Sequence, residues 1–278
     1  ISTFIACDNE YKDSKVVLFG APFDGTTSFR PGTRFASSVV RNESYGLETY
    51  SPYLDLDMED VNIFDGGDLE FCFGNAKKVL DEISSYTSKV LNDNKVPFMI
   101  GGEHLVTLGT FREVAKKYEG VHIIHLDAHT DLREDYMGEE LSHASVIRRC
   151  YDIVGSGKIF QFGIRSGMKE EFLFGREHCS LKSDFEGIDE VINNLKDKPV
   201  YITIDLDILD PSIFPGTGTP EPGGITFKEL QEVIGKFRGL NNIVGCDIVE
   251  LAPNYDHSGA STAVCAKAIR ELLLVASN

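Results

Sequence analysis

The sequence predicts an α/β protein built on a mostly parallel sheet that is covered on both faces. Three observations carry that prediction. Short apolar runs rich in β-branched residues alternate with segments of helical spacing; the runs are continuously apolar; and several of them end in Asp, Glu or His. Continuous apolar strands mark a parallel sheet, because crossover helices bury both of its faces.

Strands are expected over residues 16–20, 98–101, 122–126, 159–163, 200–204 and 244–249. Between them, Ala76, Val79, Leu80, Ile83, Val90 and Leu91 fall on one stripe of a helix. Residues 105–118, 189–195 and 262–275 show similar spacing, and Thr226 with Glu229 has the separation of a capping box that opens another helix. No Pro-rich or Gly/Ser-rich tract, charge block or internal repeat marks a linker, so residues 1–278 read as one domain.

Composition excludes several partners. With 27 Lys and Arg against 44 Asp and Glu, the net charge is −17, which disfavours nucleic acid and anionic membrane surfaces and suits a small cationic substrate. No apolar run approaches the roughly 20 residues of a membrane span, and the chain does not open on the basic-then-apolar pattern of a secretory leader. Cys7, Cys72, Cys150, Cys179, Cys246 and Cys265 are scattered without a C-x-x-C pair, as expected of reduced thiols in a cytoplasmic enzyme. None lies in the acidic clusters, which argues against a soft, thiolate-bound metal.

Those clusters are the chemically informative part. His104 follows one apolar run; Asp127, His129 and Asp131 follow a second; Asp205 and Asp207 follow a third. In a parallel sheet the functional crevice lies outside the carboxyl ends of the strands, where all three clusters fall. A buried carboxylate with nothing to neutralise it takes up a proton rather than stay charged. A cation among the clusters would remove that cost. Alternate residues of an extended segment project to one side, so each cluster can aim its donors at a common point. Oxygen and imidazole donors without sulfur suit Mn²⁺, and also Zn²⁺, Fe²⁺ or Co²⁺. Their number exceeds what one tetrahedral ion needs and suggests two metals about 3.5–4 Å apart. Asp210, before Pro211, is assigned to support of the turn. His122 and His125 lie inside a strand and are read as hydrogen-bonded sheet residues, and His178 and His257 as loop residues.

Taken in order, Gly101-Gly102-Glu103-His104, Asp127-Ala128-His129-Thr130-Asp131, Ser142-His143-Ala144-Ser145, the run from Asp205 to Pro211, the run from Pro215 to Pro220, and Asp247-Ile248-Val249-Glu250 resemble the ureohydrolase family of arginases, agmatinases and their relatives. The resemblance covers most of the chain. It implies a three-layer α/β/α fold with a central, mostly parallel sheet, and two Mn²⁺ per chain. One metal would take His104, Asp127, Asp131 and Asp205, and the other Asp127, His129, Asp205 and Asp207. It also implies attack by a metal-activated water on a guanidinium carbon, with Asp131 orienting the nucleophile. His143 would pass a proton to the leaving amine, and Glu250 would hold the guanidinium. Family members are trimers or hexamers, so a homo-oligomer is expected.

Within the family, the stretch after Asp131 lacks the Asn and Ser set that grips the amino-acid end of arginine, and Arg133 stands at the Asn position. The N-terminal run from Gly20 to Arg34 and the run from Ala252 to Gly259 are similar to agmatinases, which convert agmatine and water to putrescine and urea in polyamine biosynthesis. Arg133 could instead receive a carboxylate, as in guanidinobutyrase or formimidoylglutamase chemistry. An arginase is a further alternative. A non-catalytic metal-binding homologue would have lost a ligand or the shuttle, and none is lost, while a deacetylase on the related fold would need only one metal, against which His104, Asp131 and Asp207 argue.

Overall fold

A computed structural model describes residues 2–278. In chain order its strands are β1 (Val16–Gly20), β2 (Tyr50–Ser51), β3 (Leu56–Asp57), β4 (Ile63–Asp68), β5 (Val96–Ile100), β6 (His122–Leu126), β7 (Ile159–Phe162), β8 (Ser180–Leu181), β9 (Val200–Asp205) and β10 (Ile243–Val249). The helices are α1 (Ala36–Ser44), α2 (Ala76–Asn92), α3 (Thr107–Lys117), α4 (Val146–Val154), α5 (Lys169–His178), α6 (Ile188–Leu195), α7 (Phe227–Lys236) and α8 (Ala260–Ala276).

Eight strands form one sheet in the order β4-β1-β5-β10-β9-β6-β7-β8, and β2 and β3 pair separately. Every neighbouring pair in the large sheet is parallel. Side chains alternate between two cores, as the pleat requires. On β9, Val200, Ile202 and Ile204 face the core built with α1, α6, α7 and α8, while Tyr201 faces the core built with α2, α3 and α4. The three-layer α/β/α arrangement expected from the sequence is therefore present. The capping box at Thr226 and Glu229 forms, with both reciprocal hydrogen bonds in place. Helix α8 is apolar on nearly all sides and is correspondingly buried along its length.

Sequence order and spatial order part company at the centre. The last two strands, β9 and β10, insert between β5 and β6. Ile100 pairs with Ile248, Ile248 with Ile204, and Ile204 with Leu126. The turns that leave β5, β10, β9 and β6 thus start at one level on four adjacent strands.

Candidate metal centre and active site

His104 enters the site from the turn after β5 and is buried. Its Nε2 lies 2.9 Å from Thr203 Oγ1, and that hydroxyl donates to Asp247 Oδ1 at 2.5 Å. The single Thr203 proton is therefore committed to Asp247, so Nε2 must be the protonated nitrogen of the imidazole. In the neutral ring Nδ1 is left with a lone pair. It is buried without a hydrogen-bond partner, yet Asp127 Oδ2 and Asp131 Oδ2 stand 3.1 Å away and Asp205 Oδ2 3.4 Å away. Four lone pairs converging on one point repel unless a cation lies between them. Their separations match the roughly 3 Å between adjacent donors of an octahedral shell with bonds of about 2.1 Å.

A second convergence adjoins the first. His129 Nδ1 is 2.9 Å from Asp207 Oδ2 and 3.5 Å from Asp127 Oδ1. Asp127 thus faces both groups, one oxygen to each. Asp205 Oδ1 accepts from Asp207 N at 2.8 Å, which fixes the turn carrying both residues. Arg165 holds the same turn from behind, donating to the carbonyl oxygens of Asp207 at 2.8 Å and Ile208 at 3.2 Å. The structure brings all six residues singled out as ligands into two adjoining groups of oxygen and imidazole donors, a chemistry that fits divalent metal.

The electrostatics make the same demand. Burial, then the charges of Asp207 and Asp127, push Asp205 well above the usual carboxylate range. Burial and the Asp127 charge raise Asp131 to about 7. His104 is raised, against the cost of its burial, by Asp127, Asp131 and Asp205. Against the cost of its burial, Asp127 alone is held low, by His125, His104 and His129. The raised groups around it mark uncompensated negative charge that a bound cation would neutralise.

Two site residues sit in the left-handed backbone region that side chains rarely adopt, Asp131 at φ 51° and Glu250 at φ 69°. Each is tied down. Asp131 O accepts from Ile147 N at 3.0 Å and Arg148 N at 3.1 Å, and Glu250 N donates to Gly102 O at 3.0 Å. Glu250 is buried, and its Oε1 accepts from His104 N at 2.9 Å. His143 opens the short 3₁₀ turn His143–Ser145 and lies nearer the surface, its side chain 16% exposed. Burial, followed by the charges of His129 and Arg133, lowers its pKa to about 4.

These groups line a cavity of about 280 Å³ whose outer wall includes Ser28, Arg133, Tyr136, Met168 and Glu171. Arg133 is already engaged: its Nε is 3.4 Å from Glu171 Oε2 and its guanidinium lies 4.6 Å from the centre of the Tyr136 ring.

Of the remaining histidines, His125 approaches the centre most closely. Gln161 Nε2 donates to Thr130 O at 2.8 Å, which sets the amide orientation, and also meets His125 Nδ1 at 3.0 Å. His125 Nδ1 must then accept, leaving Nε2–H to donate to Asp127 Oδ2 at 2.7 Å. His125 supports a carboxylate from within the strand. Asp210 binds its own loop together, accepting from Ser212 N at 3.0 Å, Gly223 N at 2.8 Å and Gly224 N at 3.1 Å. His257 is exposed, whereas His178, expected in a loop, is the half-buried last residue of α5. The sequence does not single out Thr203, Arg165 or Glu171, whose importance depends on pairings across the sheet and between loops.

A strand-end centre of this kind on a parallel three-layer sheet defines a class, and the comparisons agree with it. The model of the arginase family matches residues 14–275. An agmatinase of Bacillus cereus is 50% identical over 275 residues, covering 98% of this chain and 95% of the relative. The crystal structure of the agmatine ureohydrolase of Thermoplasma volcanium superposes with a TM-score of 0.89 at 36% identity, covering 100% of this chain and 94% of that one. The proclavaminate amidino hydrolase of Streptomyces clavuligerus gives a TM-score of 0.90 at 30% identity, with coverage of 100% and 97%. This chain belongs to the arginase family.

Proposed function

We propose that the protein is an agmatinase that binds two Mn²⁺ per chain and hydrolyses agmatine to putrescine and urea. The observation that carries the metal half of this reading is His104 Nδ1, buried and unpartnered among three carboxylate oxygens. The similarity to agmatinases over nearly the whole chain supports the substrate. One ion would be held by His104, Asp127, Asp131 and Asp205, and the other by Asp127, His129, Asp205 and Asp207. When bound, such a pair supplies activation of water for attack on the guanidinium carbon.

The chain's own residues do the rest. Glu250 has one oxygen held by His104 N, which leaves the other to receive an N–H of the planar guanidinium in a charge-assisted contact. Asp131, fixed through its carbonyl, accepts a hydrogen bond from the attacking water and orients it. The C–N bond breaks only when the leaving amine carries a proton. His143 is neutral before attack, so it can take up the proton that attack releases and hand it to that amine.

Arg133 is paired with Glu171 and stacked on Tyr136, which favours an ammonium tail over a carboxylate one. Among the described residues no helix is long and apolar enough to cross a membrane. We read residues 1–278 as one catalytic domain, cytoplasmic and assembled as a homo-oligomer. Urea release from agmatine, arginine, 4-guanidinobutyrate and formimidoylglutamate, with and without Mn²⁺, tests the proposal. Agmatine should exceed arginine in kcat/KM by more than about tenfold, a gap of about 1.4 kcal/mol. Preference for guanidinobutyrate would overturn the substrate and leave the chemistry standing, and Arg133→Ala would then show whether that side chain selects the tail.

A further inference from the structure

The loop that follows β1 has no part in the chemistry above, and its contacts give it one. Asp24 is buried and closes the loop on itself, accepting from Gly32 N at 2.8 Å and from Arg34 Nε at 2.6 Å. The loop is also pressed against the turn after β5. A Cβ on Gly102 would lie 1.9 Å from Phe23 O, and Glu103 N donates to that same carbonyl at 2.8 Å. The segment is therefore a fixed base rather than a free flap.

From this base Thr26 reaches the turn that carries His143. Glu103 is 0% exposed and accepts from Thr26 N at 2.5 Å and from Thr26 Oγ1. Because the Thr26 hydroxyl gives its one proton to Glu103, it faces His143 N as an acceptor, at 3.1 Å. The first N–H groups of a helical turn have no partner within it. Ser142 and Ser145 cap one another, and the His143 N–H is met from a residue 117 positions earlier in the chain. Ser28, two residues beyond Thr26, stands 3.3 Å from His143 Nε2.

We propose that Thr26 is a positioning residue for His143. Its hydroxyl, oriented by the buried Glu103 carboxylate, fixes the main chain of the turn and so the reach of the imidazole toward the leaving amine. The inference rests on the reading of His143 as the group that protonates that amine. A displacement of about 1 Å costs on the order of 10²-fold in rate, and removing the hydroxyl frees the turn to move by such an amount.

The test compares Thr26→Val, which keeps the shape and loses the hydroxyl, with Thr26→Ser, which keeps the hydroxyl, each in the wild-type and His143→Ala backgrounds. Thr26→Val should lower kcat by about 10- to 10²-fold while KM for agmatine stays within about twofold, and Thr26→Ser should remain near wild type. In His143→Ala, Thr26→Val should cost less than about twofold more, since a residue acting through His143 has nothing left to position. Hydrogen exchange of the peptide spanning residues 142–147 should rise in Thr26→Val, a readout independent of turnover. Thr26→Ala provides the same comparison if the valine variant folds poorly. Full additivity with His143→Ala, equal losses in the serine and valine variants, or unchanged turnover in Thr26→Val would each overturn the proposal. Near-normal turnover of His143→Ala alone would instead overturn the reading of His143 on which it rests.

Discussion

Thr203 Oγ1 lies 2.9 Å from His104 Nε2, and it is this contact that decides which nitrogen of the ring is free. With Asp247 accepting the hydroxyl proton at 2.5 Å, the chain from Asp247 through Thr203 to His104 has one polarity only. Partners of this kind hold a ligating imidazole in one tautomer, and removing them costs about 10- to 100-fold in metal affinity. Thr203→Val should weaken binding of one of two Mn²⁺ by that amount with little change in fold. Calorimetric titration of metal-free protein measures it, and an unchanged pair of affinities would show that His104 is held by other means.

Asp127 turns one oxygen toward His104 and the other toward His129, and Asp205 stands beside it at the next strand end. A carboxylate shared by two ions should take both with it. Elemental analysis after Mn²⁺ loading should find close to two ions per chain in the wild type, and Asp127→Ala or Asp205→Ala should lose them together. Retention of one tightly held ion in either variant would contradict the shared arrangement.

His143 is separated from the ligand cluster, with its Nε2 facing Ser28. His143→Ala should therefore keep its full metal content and lose about 10²–10⁴ in kcat, the usual range for an acid–base group. Steady-state kinetics beside metal analysis of the same sample separates the two effects, and a stripped metal would identify His143 as a ligand.

A pH dependence of stability arises at a distance from the centre. His122 Nε2 is 3.3 Å from Lys158 Nζ, an ammonium that can only donate, so the imidazole accepts and stays neutral. Burial first, and then the charges of Lys158 and Lys198, lower its pKa to about 4. A lowered pKa in the folded state means that the unfolded chain binds the proton more readily. The folded state keeps its full stability above the unfolded value of about 6.5 and loses it as pH falls toward the folded value. Urea midpoints measured between pH 7 and pH 4 should decline less steeply in His122→Phe than in the wild type, and parallel declines would remove His122 as the cause.

The parts of the fold legible in the sequence are those in which one segment carries its own signal. The runs that form β5, β6, β9 and β10 are mostly apolar and lead into Asp, Glu or His, so both the strands and their functional ends can be read. Strand β4 escapes such a reading because Asp65-Gly66-Gly67-Asp68 has the composition of a turn. The strand does bulge there, with Gly67 at φ 76°, and Arg41 of α1 pins both carboxylates, pairing with Asp65 at 2.8 Å and with Asp68. Helices α1, α4 and α5 and the two-residue β8 escape it too, each being short and flanked by polar sequence. The Asp247–Thr203–His104 chain is illegible for a different reason. Thr203 is brought level with Asp247 only by the register of β9 against β10, which no single segment encodes.

The insertion of β9 and β10 between β5 and β6 has a consequence for biosynthesis. A ribosome that has released residues up to about 195 has already delivered His104, Asp127, His129 and Asp131. In the finished sheet two strands separate the turns that bear them, and neighbouring strands are about 4.8 Å apart. A nascent chain halted at that point carries His104 on one turn and Asp127, His129 and Asp131 on another, while Asp205, Asp207 and the two strands that set those turns beside each other are still to come. On the ligand set proposed above, the centre is complete only when the final third of the polypeptide has joined the sheet.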